Sequence, residues 1–183
     1  MDTHLIAAGL PALGWTVHGG VLLRRLADAR RDPLTGLHTR AGWTARAERL
    51  LAKHPGALVL LIDLDDFKAI NDTHGHAAGD AVLAATARRL TDWCGHHGIA
   101  ARLGGDEFAA IVTDLARTPG LFALRIVLDR PVRHNGCVLP VSASVGHAHR
   151  AHLPLPTLTD ALSAADAAMY AAKGHGRRNT THL

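Results

Sequence analysis

Residues 102–108, Arg-Leu-Gly-Gly-Asp-Glu-Phe, constrain this chain more than any other stretch. Two glycines precede two carboxylates, and the run lies between two segments that read as strands. Upstream, Ile99, Ala101 and Leu103 alternate with smaller or charged residues; downstream, Phe108 to Val112 is continuously apolar. The pattern predicts a hairpin that bends at Gly104-Gly105. Glycine reaches backbone angles that side chains forbid and lets a ligand approach the main chain. Asp106 and Glu107 then fall at an exposed tip, two adjacent like charges that repel unless something positive neutralises them. Alone, such a pair is a solvated acidic turn. A second acidic segment changes that reading.

Ala57 to Ile62 is a short apolar run whose length and branched residues suit a strand buried on both faces. It ends in Asp63-Leu64-Asp65-Asp66-Phe67-Lys68. Ligands of open α/β sheets bind at the carboxyl ends of strands, so Asp63 stands at a sheet rim where burial is costly without a cation. Hard divalent ions take carboxylate and phosphate oxygens, and Asp63 paired with Asp106 makes such a site. Lys68 follows, placed to meet an anion.

Asn71 and Asp80 lie in the next stretch, Ile70 to Asp80. An amide that donates and accepts, together with an acceptor-only carboxylate, can read a guanine edge. Taken singly, Asn71 is also a turn residue and Asp80 a helix cap. Ala165 to Lys173 reads as a helix ended by Gly174 and Gly176, with Lys173 and Arg177 at or past its end. Cations there complement the helix dipole or meet an anion.

These residues closely resemble the GGDEF family, the diguanylate cyclases. The resemblance rests on an ordered set: Asp32-Pro33-Leu34-Thr35-Gly36-Leu37, Asp63 to Lys68, Asn71-Asp72 with Gly75-His76 and Gly79-Asp80, Arg102 to Phe108, Ser144-Val145-Gly146, Ala165 to Tyr170, and Lys173 with Gly176-Arg177. It covers the chain from about Asp32 to the end. It implies an α/β (α+β) fold with a central, mostly antiparallel sheet flanked by helices, like the palm of nucleotide polymerases and cyclases. It implies condensation of two GTP into cyclic di-GMP and pyrophosphate, with Mg²⁺ or Mn²⁺ and one GTP on each subunit of a homodimer. By position, Asp63, Asp106 and the Leu64 carbonyl resemble the metal ligands. Glu107 resembles the acidic residue that assists the metal or takes the 3′-hydroxyl proton. Asn71 and Asp80 resemble the guanine readers; Lys68, Lys173 and Arg177 the triphosphate contacts; Leu34 a wall of the base pocket. A catalytically silent GTP-binding scaffold and a cyclase making a mixed dinucleotide are the alternatives. The intact acidic residues and Asp80 speak against them.

Three departures from the family pattern stand out. Thr39-Arg40 replaces Asn-Arg, and Arg178 follows Gly176-Arg177 where the family has Asn. Gly95-His96-His97-Gly98 occupies the window where many members carry Arg-x-x-Asp, so inhibition by product at that site is not expected.

A length of 183 residues suits one domain with a stable core. The net charge of +4 is modest and comes without a basic run interleaved with aromatics, which excludes nucleic acid as the expected partner. Cys94 and Cys137 match no zinc or disulfide framework and suit a reducing cytosol. Among 14 histidines, His74/His76 and His147/His149 have spacings that could ligate a metal, but no supporting motif accompanies them.

Residues 1–31 form a separate segment ahead of a catalytic domain at 32–183. Leu5 to Leu23 contains no Asp, Glu, Lys or Arg, and Arg24-Arg25 and Arg30-Arg31 follow. That length just spans a bilayer, with the arginines holding the catalytic part inside the cell. Pro11, His18 and four glycines weaken the case, and a helix pairing two subunits is the alternative. Charges behind the apolar stretch argue against a cleaved signal peptide.

Helices are predicted over Trp43–Lys53, with Leu50 and Leu51 inward, and over His76–Cys94, closed by Gly95. Another lies within Leu115–Leu128, interrupted at Pro119-Gly120. Val138 to Val145 reads as one edge or bent strand around Pro140, and Thr157 to Asp160 as a capping box.

Overall fold

The computed structural model describes residues 30–176, so Arg177 and the apolar stretch 5–23 lie outside the described residues. Strand β1 (His38–Thr39) leads directly into helix α1 (Arg40–Lys53), whose first turn is capped by the Thr39 side chain accepting from the Gly42 amide. Strand β2 (Leu58–Leu64) is followed by α2 (Phe67–His74) and α3 (His76–Cys94), joined through Gly75. Gly95, at φ 51°, ends α3 where the sequence places the stop. The hairpin β3 (Gly98–Gly104) and β4 (Glu107–Val112) forms as its glycines predict. Helix α4 (Leu121–Leu128) starts immediately after Pro119-Gly120.

Val138 to Val145 differs from expectation. Strand β6 (Cys137–Leu139) pairs with β5 (Val132–His134) in a small two-stranded sheet, and β7 (Ala143–His149) joins the main sheet. Pro140 lies between them without an amide to donate, so one predicted strand becomes two. The edge position holds for β7. Helix α5 (Leu158–Gly176) closes the described chain, and half of the predicted box forms: the Thr157 hydroxyl accepts from the Asp160 amide and donates to the Asp160 carboxylate.

The main sheet has the order β1-β3-β4-β2-β7, antiparallel except for the β1–β3 pair. Alternation along β2 splits the core in two. Leu58, Leu60, Ile62 and Leu64 pack with Phe108, Val82, Leu90, Leu124 and Leu128 against α3 and α4. Val59 packs with Trp43, Leu51, Ala109, Ile111 and Ala161 against α1 and α5. Each fully buried leucine, such as Leu60, contributes roughly 1.5–3 kcal/mol. Gly146 sets how closely α5 approaches: a Cβ there would lie 2.0 Å from the Ala165 carbonyl oxygen. This seating brings the C-terminal turn of α5 over the end of β2. Among the described residues no helix is long and apolar enough to cross a membrane.

Candidate active site

Register brings the two acidic segments together. Asp63 of β2 pairs with Glu107 of β4 on one side and with Ser144 of β7 on the other. One step on, the Leu64 amide donates to the Asp106 carbonyl at 3.3 Å. Asp63, Leu64, Asp106 and Glu107 therefore share one end of the sheet. Paired residues of an antiparallel ladder project to the same face, so Asp63 and Glu107 do so.

Asp63 and Glu107 each have a cation beside them. Lys173 of α5 donates to Asp63 Oδ1 at 2.5 Å, with both side chains more than half buried. Arg40, the first residue of α1, stands 3.7 Å from Glu107 across a largely exposed gap. Arg40 and Glu107 also line a cleft of about 170 Å³ with Leu61, Leu103, Asp166 and Met169. Among the described residues no group of three or more His, Cys, Asp or Glu side chains converges as a metal cage. The expected metal set is therefore gathered by its backbone, while the Asp63 and Glu107 side chains face cations. Its chemistry suits a hard divalent ion, because every candidate donor at this sheet end is an oxygen. Asp65, next in sequence, is taken up elsewhere: the Ser142 and Ser144 hydroxyls donate to it at 2.9 and 2.7 Å.

The expected base readers, Asn71 and Asp80, form a second group, on the other face of the sheet. Asn71 lies on α2 and Asp80 on α3, neither as a turn residue nor as a cap. Gly79 has no room for a side chain, since a Cβ would meet Asn71 Oδ1 at 2.0 Å, so α2 and α3 cross closely and Asn71 lies beside the Asp80 turn. Phe67 and Ile70 of α2 pack onto the core that contains Leu64, which ties this group to the end of β2. Asp66 begins α2 at φ 51°, a conformation Asp tolerates better than most residues. Lys68 is exposed on the first turn of α2.

Leu34 belongs to a third group. It is 37% exposed on the turn Asp32–Leu37. Thr35 donates to Asp32 Oδ1 through its amide at 2.8 Å and its hydroxyl at 2.6 Å. Arg102 of β3 donates to both Asp32 oxygens at 3.3 Å and to the Gly105 carbonyl at 2.9 Å. Burial alone would raise the Asp32 carboxyl; the Thr35 hydrogen bonds and the Arg102 charge outweigh it and hold the group below its ordinary range. Sequence reasoning passed over Asp32, Arg40 and Arg102 as site residues. An Asp three places before a Thr is a turn signal, but nothing local announces an arginine that reaches across 70 residues.

The family described as "Diguanylate cyclase, GGDEF domain" matches residues 29–179. The chain is 63% identical over 180 residues to an uncharacterised 19.3 kDa protein of Streptomyces ambofaciens, a match covering 98% of each. It is 40% identical over 164 residues to the diguanylate cyclase TpbB of Pseudomonas aeruginosa, covering 82% of this chain and 36% of that one. It thus spans about a third of the length of TpbB and of the diguanylate cyclase DgcN of Escherichia coli, of which it covers 32%. Among solved structures, a sensory box/GGDEF family protein from Caulobacter crescentus superposes with a TM-score of 0.70 at 37% identity, over 80% of this chain and 99% of that one. The coiled coil and GGDEF domain of DgcB from the same organism, in complex with c-di-GMP, gives 0.71 at 25% identity, over 94% and 95%. Fold, motif order and a family match over most of the length converge, and the chain belongs to the GGDEF-domain family of diguanylate cyclases.

Proposed function

We propose that the catalytic unit, residues 32–183, condenses two GTP molecules into cyclic di-GMP. Each 3′-hydroxyl attacks the α-phosphorus of the other nucleotide. A P–O bond forms, the bond to the β-phosphate breaks, and pyrophosphate leaves. The observation that supports this best is the pairing of Asp63 with Glu107 beside the Leu64–Asp106 hydrogen bond, with Lys173 alongside. When bound, Mg²⁺ or Mn²⁺ neutralises the triphosphate and makes the attacking hydroxyl more acidic. Asp63, Asp106, Glu107 and the Leu64 carbonyl are the residues that would hold it.

The other roles follow from charge and position. Lys173, already at the end of β2, meets the phosphate chain there, with Lys68 and Arg177 as further phosphate contacts. Glu107 has a second task open to it, accepting the hydroxyl proton. Asn71 and Asp80 orient the guanine, and Leu34 packs on the base. Phosphoryl transfer needs positioning and charge neutralisation more than covalent help, which this set supplies. Two subunits meeting face to face bring the two nucleotides together, and residues 1–31 act as a separate pairing helix or membrane anchor.

The test incubates purified protein of residues 1–183 with Mg²⁺ and GTP, ATP or both, and identifies products by mass. Cyclic di-GMP from GTP, with activity rising faster than linearly in protein concentration, is the expected result. No product points to a silent GTP-binding scaffold, and an adenine-bearing product to a mixed cyclase. Fractionation without detergent decides between anchor and pairing helix.

A further inference from the structure

The signature turn is poorly held by its own packing. A Cβ at Gly104 or Gly105 would meet nothing within 4 Å, so neighbouring atoms do not wedge either residue in place. Gly105 also sits at φ 51°, and the strand register shifts between Arg102 and Gly104. A bulged, open glycine turn is a loose mounting for the two carboxylates that follow it. Beyond the pairing of Gly104 with Glu107 that closes the hairpin, two hydrogen bonds brace it: Leu64 N–H to the Asp106 carbonyl and Arg102 Nε to the Gly105 carbonyl.

The Arg102 bond is the one with a second anchorage. The same guanidinium reaches Asp32 through Nη1, and both side chains are less than a fifth exposed. Asp32 is itself fixed by Thr35 and by backbone bonds that close the turn: Asp32 N–H to the Leu37 carbonyl and Gly36 N–H to the Asp32 carbonyl, each 2.8 Å. Arginine suits this task because its planar fork serves two acceptors at once, whereas lysine offers a single point charge.

We propose that Arg102 is a positioning residue for the cyclase site, bracing the Gly104-Gly105 turn against the Asp32–Leu37 turn so that Asp106 and Glu107 stay opposite Asp63. The inference rests on the cyclase reading for its effect on nucleotide and metal, but the brace itself is a property of the fold. Arg102 touches no reacting atom. Its loss loosens the metal-bearing turn without altering base choice, since Asn71 and Asp80 lie on α2 and α3.

The experiment compares wild-type residues 1–183 with Arg102→Ala, Arg102→Lys, Asp32→Asn and the Arg102→Ala/Asp32→Asn pair. Calorimetry follows binding of 3′-deoxyGTP, which cannot react, in the presence of Mg²⁺. Supporting groups one shell away from a metal are worth about 10–100-fold. Arg102→Ala is expected to lose affinity in that range, Arg102→Lys nearly as much, and the pair no more than Arg102→Ala alone. Preference for guanine over adenine stays unchanged. Amide exchange at Leu64, whose N–H is bonded to the turn, accelerates about tenfold. Arg102→Ala binding within twofold of wild type, or full additivity in the pair, overturns the proposal. If Arg102→Ala does not fold, Arg102→Lys and Asp32→Asn carry the same comparison. If wild type neither binds 3′-deoxyGTP nor makes cyclic di-GMP, the cyclase reading falls; Leu64 exchange then decides the brace alone, and an unchanged rate overturns it.

Discussion

Asp63 and the Asp106-Glu107 pair stand side by side, yet different means hold them. Asp63 closes a strand with partners on both flanks, β4 and β7, and layers on both faces. Its side chain is 21% exposed and is clasped by Lys173 at 2.5 Å. Glu107 follows an open turn, its side chain is 54% exposed, and Arg40 stands off at 3.7 Å. One acidic group inherits its place from the core; the other needs a brace from outside. A triphosphate held between the two, as proposed, would meet one wall set in the core and one mounted on an exposed turn.

The largest expected effect tests the fixed wall. Asp63→Asn should lower cyclic di-GMP formation by on the order of 10³-fold or more, as loss of transition-state charge stabilisation commonly does. Asp106→Asn should cost a similar factor if the exposed turn is held against the bound substrate. A mild Asp106→Asn effect would mean the turn never closes on the reaction.

A second variant attacks the fixed wall from beneath. Gly146→Ala puts a methyl group 2.0 Å from the Ala165 carbonyl, inside the seat that brings Lys173 to Asp63. Overpacking of this kind destabilises by about 1–3 kcal/mol, read from urea unfolding. Activity should fall further than the folded fraction, because α5 must shift. Equal stability would show that the helix has room to spare.

Asp80→Ser leaves both walls alone and should reduce preference for GTP over ATP by about 10–100-fold, measured as a ratio of kcat/KM values. An unchanged ratio would remove Asp80 from base recognition.

The smallest effect concerns acid. Burial, with Arg31 and Arg46 nearby, pushes the His38 imidazole below its usual value of 6.5, and burial with His149 and Arg125 does the same to His147. Both bind fewer protons in the folded chain than in the unfolded one. Their contribution is therefore complete above that value and fades as pH falls beneath it. Thermal melting at pH 7.5 and 5.5 should show the wild type losing about 3 °C more than a His38→Gln/His147→Gln chain. Parallel losses would rule the two histidines out as the cause.

Much of this was legible in the residues. Gly104-Gly105 marked the bend of the hairpin, Gly95 marked the end of α3, and Pro119-Gly120 marked the start of α4, because glycine and proline act locally; the predicted helical part before Pro119 is turn instead. Pro140 was read as a bend, but the two strands it separates belong to different sheets, which only tertiary packing decides. Lys173 was recognisable as a cation for the site; its seat on Asp63, 110 residues away, depends on how Gly146 admits α5. Arg102 was legible only as part of a motif, since its second partner is set by how the leading turn folds back on β3.

The little hairpin β5–β6 has a practical consequence. Its tip, Asn135-Gly136, carries two consecutive left-handed residues, at φ 47° and 79°, and both are solvent-facing. It stands outside the five-stranded sheet, so extra chain spliced there disturbs none of the ladder. A fluorescent or affinity module grafted between these two residues would report on the enzyme while leaving the reaction chamber intact.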